Sequence, residues 1–178
     1  RQALHVIENI LADRGLKNMI LFKPHWTYSN VYRQAQLISL NSAENGEPNF
    51  DILEKTLQKI AYEYGCAEGP NKGEEGILTA ITINSPNNPC GVIYSVKTLE
   101  RLLTLCQKYN VAMIDDGCYI EIVRSDETAM TLLEVAIKMT KNGQLKSSFL
   151  KNIFVAMTAS KGLGMAGGRL GAIIFFDE

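Results

Sequence analysis

Short runs of apolar residues rich in Val and Ile alternate along this chain with stretches of helical periodicity, and that alternation restricts the possible folds more than any other feature. The apolar runs are Met19 to Phe22, Gln36 to Leu40, Ile77 to Asn84, Val111 to Ile114, Ile153 to Thr158 and Leu170 to Phe176. Continuous apolar character in a short run predicts a strand buried on both faces, and strands separated by helices pair in parallel. Between the runs, Leu4, Ile7 and Leu11 fall on one stripe of a helix predicted over Arg1 to Ala12. The same spacing places Ile52, Leu53, Leu57 and Ile60 on a helix over Asp51 to Tyr64, and Leu99, Leu102, Leu103 and Cys106 on one over Val96 to Tyr109. A last helix, over Thr128 to Met139, carries Leu132, Val135, Ala136 and Met139. Ser95 is placed to cap the helix that follows it, and the polar stretch Lys141 to Ser148 reads as a loop. The pattern predicts an α/β fold, a three-layer α/β/α arrangement around a mostly parallel sheet.

Composition narrows the function. The chain has 178 residues, 46% hydrophobic and 21% charged, with a formal net charge of −1. That is enough chain to bury a core. A near-neutral balance without a basic tract gives no electrostatic reason to expect nucleic acid or an anionic membrane as partner, and small metabolites fit better. Cys66, Cys90, Cys106 and Cys118 form no C-x-x-C pair, and with only His5 and His25 no metal-ligand spacing exists. Free thiols in a reducing compartment, and hence a cytoplasmic enzyme, are the expectation. A helical stripe that begins at the first residues without a cap, and an apolar run that stops at Phe175-Phe176-Asp177-Glu178, lead us to expect a piece of a longer chain.

Ligands of open α/β sheets gather at the carboxyl ends of the strands, and three of these ends hold unusual residues. After Ile77 to Asn84 comes Ser85-Pro86-Asn87-Asn88-Pro89-Cys90-Gly91, a turn stiffened by two prolines with a glycine free to take a left-handed backbone. Asp115-Asp116-Gly117-Cys118-Tyr119 follows Val111 to Ile114, and Ala159-Ser160-Lys161-Gly162 leads from Ile153 to Thr158 towards Arg169. Singly these have plain structural readings: a connector, a solvated acid, a surface lysine. Together they supply an amine, a carboxylate, an amide, a phenol, hydroxyls and a guanidinium. That is the inventory for pyridoxal 5'-phosphate. Its aldehyde takes a Schiff base from an amine, Lys161; its ring nitrogen stays protonated beside a carboxylate, Asp116. Its phenolic oxygen accepts from Tyr119 and Asn88, and its phosphate suits Thr158, Ser160 and Arg169.

These segments resemble the class I and II aminotransferases within the fold-type I pyridoxal-phosphate enzymes. The family's N-P-x-G matches Asn88 to Gly91, its D-x-x-Y matches Asp116 to Tyr119, and its S/T-x-x-K-x-x-x-x-x-G-x-R matches Thr158, Lys161, Gly167 and Arg169. Lys23-Pro24-His25-Trp26 is similar to the family's strand-end proline and the aromatic that stacks on the cofactor ring, here Trp26. The resemblance implies that residues 1–178 are the large cofactor-binding domain, incomplete at both ends. The glycine-rich phosphate segment would precede Arg1, and a small domain carrying the substrate-carboxylate clamp would follow; Arg124 does not occupy that place. It further implies a homodimer that moves an amino group between an amino acid and a 2-keto acid, with Lys161, Asp116 and Tyr119 catalytic. The fragment alone is then expected to be inactive. Two departures stand out. Asp115 occupies the place of an apolar residue, so spacing to Tyr119 alone favours Asp116, and Cys90 replaces the usual Thr of the turn.

Other readings keep the cofactor but change the outcome: a β-lyase, a decarboxylase, a cyclopropane-forming synthase, or the sensor domain of a transcription regulator. The literal G-x-G-x-x-G of Gly162 to Gly167 is a decoy. A dinucleotide motif must open a helix, whereas a strand resumes here at Leu170.

Overall fold

In a computed structural model of the chain, residues 1–64 and 77–176 are described. Six strands form one sheet: β1 (Asn18–Lys23), β2 (Gln36–Asn41), β3 (Thr79–Ile83), β4 (Ala112–Asp116), β5 (Ile153–Thr158) and β6 (Gly171–Phe175). Their order across the sheet is β2-β1-β3-β4-β5-β6, all parallel except β6, which runs antiparallel to β5. Helices α1 (Gln2–Asp13), α2 (Phe50–Glu63), α3 (Val96–Tyr109) and α4 (Leu132–Lys141) cover it, so the α/β architecture with a mostly parallel sheet is the observed one. Cys66 lies outside the described residues.

Side chains alternate along a strand, and the core divides accordingly. Ile81, Ile83, Met113, Ile153 and Val155 pack with α2, α3 and α4 on one face. Ala80, Ala112, Ile114, Phe154 and Ala156 pack with Leu4, Ile7 and Leu11 of α1 and with Tyr28 and Tyr32 on the other. This parity fixes where the polar residues at the strand ends go. Asn84, Asp116 and Thr158 continue the α1 face, whereas Asp115 continues the face of α4.

Helix ends follow local chemistry. Asn49 and Ser95 cap α2 and α3 by accepting from the N–H of Ile52 and Thr98. Asn110 ends α3 in the left-handed region, which an asparagine tolerates better than most residues. Thr131 and Glu134 form a reciprocal capping box on α4, which is why that helix starts at Leu132 and not at Thr128. It also runs on to Lys141, and a 3-10 turn at Ser147–Asn152 occupies the end of the predicted loop.

Two other expectations are corrected. Burial on both faces holds for β1, β3 and β4, but β2 is largely open, and β6 is exposed along nearly its whole length. Each lies at a sheet edge, where apolar composition alone cannot ensure cover. Ile52 points outward from α2, while Leu53, Leu57 and Ile60 are buried. No helix among the described residues is long and apolar enough to cross a membrane.

Candidate active site

The strand order reverses between β1 and β3, and in open α/β sheets the crevice beyond such a reversal is the usual ligand site. Beside that reversal, a cleft of about 190 Å³ opens beyond the carboxyl ends of β3, β4 and β5, on the α1 face. Every residue singled out from the sequence lines it: Trp26, Asn88, Asp116, Tyr119, Thr158, Ser160, Lys161 and Arg169, joined by Arg1, Ala3 and Leu4 at the start of α1. A larger cavity of about 300 Å³ adjoins it and shares Cys118, Met157 and Thr158, but Lys161 is not among its walls.

The turn after β3 carries Asn88, whose side-chain N–H donates to the Tyr119 hydroxyl at 3.2 Å. The amide and the phenol thus arrive as a bonded pair. Gly91 adopts a φ of 73°, the left-handed backbone anticipated for this turn. The Lys161 ammonium lies 5.6 Å from the centre of the Tyr119 ring, so the amine sits beside the same pair. Thr158 donates to the carbonyl of Leu170 at 3.2 Å and accepts the N–H of Ser160 at the same distance, folding the lysine loop back on β5. Within that loop the G-x-G-x-x-G stretch leads only into a 3-10 turn, Ala166–Gly168, before β6. Arg169 has a φ of 50° and donates to the carbonyl of Ala166. A left-handed arginine is strained, and such strain concentrates at functional sites. Trp26 packs edge-on against Tyr28, and the Arg1 guanidinium lies 5.0 Å from its ring centre. Arg124 points into solvent and pairs with Asp126.

The two adjacent acids are separated by the parity of β4. Asp116 accepts the hydroxyl of Tyr28 at 2.9 Å on the pocket side. Burial pushes its carboxyl above the ordinary range, opposed by the hydrogen bonds from Tyr28 and Cys118. Asp115 is 2% exposed and accepts the N–H of Leu132 at 2.8 Å, holding the first turn of α4 from the opposite face. It plays a structural part that its position beside Asp116 does not reveal.

Burial raises the Asp115 carboxyl to about 7 from an ordinary 3.8, against the Leu132 bond that lowers it. The folded protein therefore keeps a proton that the unfolded chain releases, and stability falls as pH rises between about 4 and about 7. Asp115→Asn keeps the acceptor for Leu132 but has no proton to lose. We expect it to exceed the wild type in stability at pH 8, by up to on the order of 4 kcal/mol, and to match it near pH 4. Thermal unfolding across that range checks this; an unchanged pH slope would exclude Asp115 as its source.

Sequence reasoning missed three residues here. Tyr28 is 2% exposed, stacks on Tyr32 and closes the floor under Asp116. The density of aromatics in Trp26, Tyr28 and Tyr32 was the available signal. Asn84 links the ends of β3 and β4, donating to the carbonyl of Asp116 at 2.7 Å, and its parity with Asp116 and Thr158 could have marked it. The Cys118 thiol is pushed up to about 12, by burial first and then by the charge of Asp116; nothing in its spacing set it apart.

The sequence profile of the family "Aminotransferase class I and II" matches residues 16–178, and the chain belongs to that family. Aspartate aminotransferase of Thermotoga maritima is 31% identical across 100% of this chain and 41% of its own length. 1-Aminocyclopropane-1-carboxylate synthase 3 of Solanum lycopersicum is 30% identical over 81% of this chain and 28% of the synthase. The chain thus spans well under half of these relatives. Among solved structures, the Thermotoga maritima aspartate aminotransferase superposes with a TM-score of 0.71 at 26% identity, over 98% of this chain and 40% of that one. A PLP-bound putative aminotransferase from Clostridium difficile shares the fold, with a TM-score of 0.73 at 17% identity over 99% and 40% of the two chains.

Pyridoxal 5'-phosphate is the cofactor of this family, and the cleft fits it on two counts. Arg1, Lys161 and Arg169 line it against the single carboxylate of Asp116, a balance suited to a phosphate dianion. Asp116 is desolvated, yet among the described residues no ion pair engages it. A protonated ring nitrogen would supply a positive charge in direct contact with it.

Proposed function

We propose that this chain is the cofactor-binding large domain of a pyridoxal-phosphate enzyme that transfers an amino group between an amino acid and a 2-keto acid. The observation that carries this reading is the convergence of Lys161, Asp116 and the bonded Asn88–Tyr119 pair on one cleft. The alignment with an aspartate aminotransferase, which covers all of this chain and 41% of that enzyme, supports transamination, while the synthase aligns with 81% of the chain.

Bound at the site, pyridoxal phosphate supplies an aldehyde that takes up the substrate amino group and a protonated ring that spreads the electron pair left by loss of the α-proton. Lys161 Nζ would hold the aldehyde of the cofactor. Freed from the aldehyde, Nζ would be placed to accept a proton from the substrate α-carbon. Asp116 would keep the ring nitrogen protonated, with Tyr28 fixing its carboxylate. Asn88 and Tyr119 would donate to the ring oxygen. Thr158, Ser160 and Arg169 would hold the phosphate. Trp26 provides an aromatic wall for the ring. Two copies of the whole protein are proposed to assemble as a homodimer sharing their sites.

The reading is tested on full-length holoprotein by half-reactions. An amino acid alone should shift the visible absorbance of the cofactor and release one keto acid per site, and a 2-keto acid alone should restore the spectrum. Release of carbon dioxide, or of a fragment of the substrate side chain, without this cycle would replace transamination by decarboxylase or lyase chemistry.

A further inference from the structure

We infer that Asn84 is a positioning residue that sets Asn88 and Asp116 relative to one another, an inference that rests on the cofactor reading above. Asn84 directly follows β3, is 4% exposed and reaches the floor of the cleft. Its carboxamide works in two directions. Nδ2 donates to the carbonyl of Asp116 at 2.7 Å, and Oδ1 accepts the backbone N–H of Asn88 at 2.7 Å. A carbonyl can only accept and an N–H can only donate, so the amide has one permitted orientation; flipping it would set acceptor against acceptor and donor against donor. The same Nδ2 lies 3.8 Å from Cys118 Sγ.

The consequence lies in what the two tethered residues do. Asn88 holds Tyr119 and serves the ring oxygen, whereas Asp116 serves the ring nitrogen. These are different atoms of one rigid ring, so the two side chains must keep a fixed separation although they belong to different strand ends. The pairing of β3 with β4 ends at Ile83 and Asp115, and beyond that register Asn84 provides a cross-link between the turn and the acid. It need not touch the cofactor to do so.

Full-length holoprotein is compared with Asn84→Ala, Asn84→Asp and, as a control on the same strand, Ile83→Val. Pyridoxal phosphate is titrated into each apoprotein, and the visible absorbance of the bound cofactor is followed against pH. Asn84→Ala should weaken pyridoxal-phosphate binding about tenfold and shift the absorbance midpoint by roughly half a pH unit or more. Ile83→Val should do neither, even if it lowers the unfolding temperature. Asn84→Asp separates positioning from mere support. Protonated, it can donate O–H to the Asp116 carbonyl and accept from Asn88; ionised, it sets a negative charge against that carbonyl. Its binding deficit relative to wild type should therefore shrink as pH falls from about 8 to about 5.5. If Asn84→Ala does not fold, this trend decides the matter. Wild-type affinity and midpoint in Asn84→Ala, or a deficit in Asn84→Asp that ignores pH, would overturn the inference alone. Failure of wild-type protein to bind the cofactor would overturn the cofactor reading with it.

Discussion

Borohydride reduction of the cofactor-treated full-length protein, followed by peptide mapping, is expected to leave a pyridoxyl group on Lys161 and on no other lysine. The expectation follows from placement. Lys161 lies in the cleft against the Tyr119 ring, where Asn88, Asp116 and Arg169 also converge, and among the described residues no other lysine lines that cleft. Lys161→Ala should retain the fold, because the side chain is exposed and bears no core contact. It should nevertheless lose both the covalent attachment and the proton carrier, lowering turnover by on the order of 10⁴-fold or more. The two losses can be separated. Lys161→Arg keeps a positive charge but offers no nucleophile at neutral pH, so it should bind the phosphate yet form no reducible bond. A pyridoxyl adduct on a different lysine, or turnover in Lys161→Ala within tenfold of wild type, would remove Lys161 from the centre of the site.

How far the sequence revealed this site depended on which property each residue expressed. Helix and strand periods were legible because they record burial directly, and all six strands and four helices lie where the apolar patterns placed them, shifted by a few residues at the ends. The motif residues were legible because their chemistry is unusual at strand ends. The pairing of Asp115 and Asp116 was not, since both sit in one strand and either could face a ligand. Parity separates them only once it is known that α1 covers the face of Ala112 and Ile114, and α4 the face of Met113. Tyr28 and Asn84 escaped for a related reason. Each acts through a partner distant in sequence, Asp116 in both cases, and no local pattern encodes a contact of that range. The openness of β6 was equally illegible, because its apolar run has the composition of an inner strand while its position is at an edge.

Asp116→Ala is expected to cost far more activity than Asn88→Ala, and the comparison is sharper than either value alone. Asp116 is a desolvated carboxylate whose described partners, the Tyr28 hydroxyl and the neighbouring Cys118 thiol, are both neutral. Opposite a protonated ring nitrogen it would form a buried charge pair, and removing one member of such a pair costs about 3–5 kcal/mol. That corresponds to roughly 10²- to 10⁴-fold in rate if the interaction strengthens as the α-proton leaves. Asn88 contributes one hydrogen bond to an oxygen that Tyr119 also serves, worth about 1.5–3 kcal/mol to a charged acceptor, and Tyr119 should compensate in part. Asp116→Asn makes the distinction electrostatic. The amide retains the shape and can still accept from Tyr28, but it no longer favours the protonated ring, so its loss should approach that of Asp116→Ala. Tyr28→Phe should fall between wild type and Asp116→Asn, because it releases the carboxylate without neutralising it. Comparable losses in Asp116→Ala and Asn88→Ala, measured as kcat on holoprotein with matched cofactor occupancy, would contradict the roles assigned. A near-normal Asp116→Asn would do so more directly, since that change keeps the shape while removing the charge and one acceptor oxygen.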